Sequence, residues 1–153
     1  MTLENIFDRL SAIDRQIQPL IRELGMNDDC GPWVNIALNK SDPDEMFLYH
    51  ELHALTIPFL RLHQKLAYLH LPCTGPHVLR LFPNGRYGYE GQPYAEAHTL
   101  SCGTPVEALI TDKNGHLRWA CSRIEHDDTD YFLYGHRDIS LNGLVIRERR
   151  HTA

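Results

Sequence analysis

The hydrophobic period of this chain changes once, at Leu71-Pro72-Cys73-Thr74-Gly75-Pro76. Upstream, apolar residues recur every three and four positions, the spacing of one helix face. Downstream, they alternate in short runs separated by Asn-Gly turns, the spacing of half-buried strands. A pattern with the helical period does not settle as a strand, nor the reverse. The chain therefore reads as α+β. A heptad-patterned helical hairpin over residues 1–72 is followed by a small antiparallel β domain over 76–149, either an SH3-like barrel or a bent sheet.

In the helical half, Leu3, Ile6, Leu10, Ile13, Ile17, Leu20 and Leu24 step by three and four without a break. That is the narrow apolar seam of a coiled coil. Thr2 stands where an N-cap belongs, with Asn5 at the third helical position, and Gly25 follows the last seam residue as a left-handed C-cap. A second seam runs through Leu48, Leu52, Leu55, Phe59, Leu62, Leu66 and Leu69. It is preceded by Ser41-Asp42-Pro43-Asp44-Glu45, in which Asp42 caps, Pro43 opens the helix and Glu45 completes a capping box. Pro19 and Pro58 interrupt the two seams; each is expected to kink its helix, or at Pro58 to restart it with Thr56 as cap. Between the helices, Trp33, Val34, Ile36 and Leu38 call for burial in a short helix or strand. The seams either close on each other or face a second copy of the chain.

In the β half, Pro83-Asn84-Gly85 separates a strand at 77–82 from one at 86–90, and Asp112-Lys113-Asn114-Gly115 separates 106–111 from 117–125. Both read as type I turns with glycine at the left-handed position. A turn at 127–130 precedes a strand at 131–134, and Leu141-Asn142-Gly143 precedes the last, at 144–147. The expected core is Val106, Ile110, Trp119, Leu133, Leu144 and Ile146.

The punctuation of this half resembles a known family. Gly103-Thr104-Pro105-Val106-Glu107, Trp119, Arg123-Ile124-Glu125-His126, Asp130 to Gly135 and Leu141 to Arg147 are similar to the bacterial domain of unknown function 5348. The resemblance covers residues 103–147 and implies a β fold and a mobile-element setting; it implies no reaction.

Charge narrows the function classes. The formal net charge is −5, and the first 71 residues carry six Lys/Arg against ten Asp/Glu. An acidic helical half is a poor match for phosphate backbones. No apolar run approaches the roughly 18 residues that span a bilayer, so the expectation is a cytoplasmic protein. Cys30, Cys73, Cys102 and Cys121 are scattered, as buried free thiols are.

No constellation makes a catalytic signature. His50-Glu51-Leu52-His53 is one residue short of the spacing that puts two imidazoles on a metal. His63 and His70 lie too far along the helix to join them and read as solvated surface histidines. Cys102 follows His98 by four residues without the surroundings of an activated nucleophile. Asp127 and Asp128 occupy a turn, where Asp is favoured for its geometry. Gly85, Gly88 and Gly91 lead into no phosphate-binding helix, although Gly88 between Tyr87 and Tyr89 permits close backbone approach.

The expected function is therefore non-enzymatic, without metal or cofactor. The chain reads as a protein-interaction factor of a phage or mobile element, in concrete form an inhibitor of a host defence complex. Its partner would be another protein or complex, contacted through Arg86, Tyr87, Tyr89, Tyr94, Arg123, Tyr134 and Arg137. Leu3, Ile6, Leu10, Ile13 and Ile17 would form a homodimer seam. The alternative is a nucleic-acid module in which the tyrosines stack bases while Arg80, Arg86, Arg118, Arg123 and Arg137 contact phosphates.

Overall fold

The structure is a computed structural model and describes residues 1–91, 94 and 96–150. It divides into two compact units, Met1–His70 and Leu71–Ala153. The first holds two helices and the second two antiparallel sheets, an α+β arrangement.

Helix α1 spans Leu3–Leu24 and α2 spans Pro43–His70. The caps are those the local sequence encodes. The Thr2 hydroxyl accepts from the Asn5 amide while the Asn5 side chain accepts from the Thr2 amide, and Gly25 closes α1 at φ 64°. Asp42 Oδ1 accepts from the amides of Asp44 and Glu45. Glu45 does not complete a box; it accepts from the Asn39 amide instead. Both helices run through their prolines. Thr56 starts no new segment, because its hydroxyl donates back to the His53 carbonyl one turn earlier.

The two helices run antiparallel, and their contact is more polar than the seams implied. Asp14 accepts from His63 Nδ1 at 3.0 Å, Ser11 hydrogen-bonds His70 Nε2 at 3.2 Å, and Phe7 packs on the His70 ring. His53 donates to the Gly31 carbonyl at 2.9 Å. His63 and His70 thus make hairpin contacts, while His63 stays half-exposed and His70 exposed. The connecting segment forms neither helix nor strand, and of its apolar residues only Trp33 is buried, against Tyr49 and His53. Val34 and Ile36 stay exposed.

The second unit contains β1 (Cys73–Val78), β2 (Arg80–Leu81), β3 (Tyr87–Tyr89), β4 (His98–Thr99), β5 (Pro105–Thr111), β6 (Leu117–His126), β7 (Tyr131–Leu133) and β8 (Val145–Arg149). One sheet has the order β1-β8-β5-β6-β7, the other β2-β3-β4. The expected strand over 77–82 is divided. Its first residues pair with β8 and its last with β3, and the chain changes sheets at the fully buried Leu79. No ladder joins β1 to β7 among the described residues, so closure of the five-stranded sheet into a barrel is not seen there.

Val106, Ile110, Leu133, Leu144 and Ile146 lie in one core cluster with Leu79, Tyr89, Ala120 and Ile124. Trp119 is a correction. In β6 the inward set is Ala120 and Ile124, which leaves Leu117, Trp119 and Cys121 on the opposite face. Side chains alternate with period two, so a one-residue difference in register exchanges the faces. Trp119 is half-buried there beneath the Arg147 guanidinium, 4.4 Å from its ring.

Candidate functional site

The inward placement of Ile124 on β6 and Leu133 on β7, directly opposite each other in the ladder, sends their neighbours outward. Arg123, Glu125, Phe132 and Tyr134 therefore share the outer face at one edge of the sheet. With Gly135 and Arg137 they line an open groove.

Each arginine in this groove is held twice. The Arg123 guanidinium lies 3.7 Å over the Tyr134 ring and its Nε donates to Glu125. The Arg137 guanidinium lies 3.7 Å over the Phe132 ring and donates to Asp127 Oδ2 at 2.9 Å. Asp127 is fixed by the turn it closes, where its Oδ1 accepts from the Thr129 hydroxyl and the amides of Thr129 and Asp130. Those bonds, the Thr129 hydroxyl first, hold its carboxyl well below the usual carboxylate range. Arg123 likewise holds Glu125 down, helped by the Cys102 thiol, which donates to Glu125 Oε2 at 3.1 Å.

The seven residues expected to form one partner-binding set divide in two. Arg123, Tyr134 and Arg137 come together in the groove. Tyr87, Tyr89 and Tyr94 belong to the core or pack against it, and Arg86 stands exposed at the end of the β2–β3 turn. Tyr89 is a correction: at 1% exposure it meets no partner. Its ring lies in the hydrophobic cluster with Leu79 and Leu100.

Around Tyr89 lies a polar network that the sequence did not announce. Its hydroxyl donates to Glu148 Oε1 at 2.6 Å. Arg150 donates to the other Glu148 oxygen and, at 2.9 Å, to His98 Nε2, which fixes that imidazole as an acceptor. His77 stacks on Tyr89 and Tyr94 on His98, with ring separations of 3.8 and 4.0 Å. Burial pushes the Glu148 carboxyl up and both imidazoles down. The network joins positions far apart in the chain, so no local spacing marked it. Removing the Tyr89 hydroxyl strands a buried carboxylate oxygen. Tyr89→Phe is expected to cost about 1–3 kcal/mol in urea denaturation, with the core ring retained.

His98 is engaged by Arg150, while the Cys102 thiol is engaged by Glu125, so the His98–Cys102 pairing weighed from sequence is not formed. Among the described residues, no group of three or more His, Cys, Asp or Glu is placed to hold a metal ion, and no helix is long and apolar enough to cross a membrane.

Comparison with known proteins places one segment. The model of a domain of unknown function (DUF5348) matches residues 81–147, which run from the end of β2 into β8 and include the whole groove. No curated protein and no solved structure matches the chain.

Proposed function

We propose that the chain is a non-enzymatic protein-interaction factor whose β unit docks a protein partner in the Arg123–Tyr134–Phe132–Arg137 groove. The observation that carries this reading is the double engagement of both arginines. Arg and aromatic residues, rigidly held, are the residues in which binding energy concentrates at protein interfaces. Here the two guanidiniums are already stacked and oriented, so less side-chain freedom is lost on docking. Their charge is also compensated by Glu125 and Asp127. A groove that binds nucleic acid draws its affinity from uncompensated positive charge, which favours protein over phosphate backbone. The engaged thiol and histidine support a non-enzymatic role in the same way.

Within this reading the chain is a phage or mobile-element accessory factor acting as an inhibitor of a host defence complex, the setting that the family resemblance implies. The test is co-purification of the full chain from its native host beside the Arg123→Ala/Arg137→Ala variant. A partner retained by the native chain and lost about tenfold or more by the variant is the expected result. Equal capture by both removes the groove from the reading. A gel shift with single- and double-stranded DNA showing affinity that falls steeply with salt would replace it with nucleic-acid binding.

A further inference from the structure

The helical unit carries a second surface, independent of the groove. The residues that hydrogen-bond or stack across the hairpin each stand one position after a seam residue: Phe7 after Ile6, Ser11 after Leu10, Asp14 after Ile13, His63 after Leu62 and His70 after Leu69. One position is a turn of 100° around a helix. The seams are therefore rotated away from these contacts, except at Leu66, which is buried. Because the helices run in opposite directions, the same backward step rotates both seams to the same side of the hairpin.

The exposure pattern agrees. On α1, Leu3, Ile6, Ile13 and Leu20 are exposed, while Leu10 and Ile17 are half-buried. On α2, Leu48, Leu52, Leu55 and Phe59 are exposed, Leu55 at 65%, while Leu62 and Leu69 are half-buried and Leu66 is buried. The result is an exposed apolar strip roughly 25 Å long on α1 and roughly 15 Å long on α2.

We propose that this face is covered by a second copy of the chain, with α1 lying antiparallel across α1 of the copy about a two-fold axis. Charge on the outer flank chooses the occupant. On the side of the seam away from α2, α1 presents Arg9, Gln16 and Glu23, one position before Leu10, Ile17 and Leu24. The flank is opposite in sign at its two ends and symmetric about Gln16. An antiparallel copy brings Arg9 of each chain against Glu23 of the other, twice per dimer, and flanking charges of this kind set partner and orientation in coiled coils. Laying α1 over α2 of the copy instead brings Arg9 toward Lys65 and Glu23 toward Glu51, like charges in both cases. A two-fold interface is self-complementary, and this flank complements itself.

Sedimentation equilibrium of the full chain tests the arrangement. The native chain is expected to be a dimer. Ile13→Glu, at an exposed seam position, is expected to be monomeric with unchanged helical circular dichroism. Arg9→Glu and Glu23→Arg are each expected to weaken dimerisation on the order of tenfold at low salt, and the combined Arg9→Glu/Glu23→Arg variant to restore it. A native chain that stays monomeric at 100 µM (a concentration set on the order of a weak interface's dissociation constant) overturns the proposal. So does a dimer indifferent to Ile13→Glu, or one that the double reversal fails to restore; the last would assign the face to a different partner or orientation.

Discussion

Glu107→Ala is expected to lower the stability of the β unit by about 3–5 kcal/mol, the range found when one partner of a buried ion pair is removed. Glu107 stands on β5 opposite Arg147 of β8 and is 3% exposed. One of its oxygens accepts from Arg147 Nε and the other from Arg149 Nε, the latter at 2.7 Å. Arg149 also donates to the Leu71 carbonyl, and Arg147 covers the Trp119 ring. One carboxylate therefore orders two arginines that tie β8 to β5 and to the start of the unit. Without it, two guanidiniums that are mostly out of solvent lose their counter-charge. Amide hydrogen exchange resolved along β5 and β8 reads the effect where it arises. Glu107→Gln, which keeps the shape and loses the charge, should fall between native and Ala. Native-like exchange in Glu107→Ala would mean that the arginines re-pair or hydrate at no cost.

The second large effect is expected at Gly88. A methyl group there would sit 2.2 Å from the His98 carbonyl oxygen and 2.8 Å from the Thr99 Cα. Both are backbone atoms of β4, which pairs with β3 through Gly88–Thr99, so the neighbour retreats only by opening the ladder. Gly88→Ala is expected to exceed the usual overpacking cost of about 1–3 kcal/mol and to abolish protection of β2, β3 and β4 together. Gly85→Ala provides the contrast: its φ is 78°, and no atom lies within 4 Å of the added methyl. There only the left-handed backbone penalty of about 1–2 kcal/mol applies. Equal effects at the two positions would show that conformation, not contact, governs Gly88.

The close approach at Gly88 was legible, because glycine between two strand tyrosines has few other uses. The same holds for the caps at Thr2, Gly25 and Asp42 and for the turns at Asn84-Gly85 and Asn114-Gly115. In each case the geometry is decided within four or five residues. The groove was legible in part. Arg123, Tyr134 and Arg137 were marked by residue type. Phe132 and Glu125, which hold the arginines, gave no signal apart from their position in the strand alternation, and Asp127 was marked only as a turn residue. Arg86, Tyr87, Tyr89 and Tyr94 had the same composition and went elsewhere.

What the sequence determined by itself is the order α-helix, α-helix, then antiparallel strands, because period, caps and turn residues act locally. What only the tertiary structure decided is which face of each element looks inward. The inward faces of β6 and the two helices each lie one residue from the pattern's simplest reading. That single step sends Trp119 out, puts Asp14 and His63 between the helices and turns much of each leucine seam outward. Tyr89 was decided at long range too, by Glu148 and Arg150 arriving from the far end of the chain. A repeat names the residues that share a face, but ladder pairings and contacts between distant segments set the direction in which the face points.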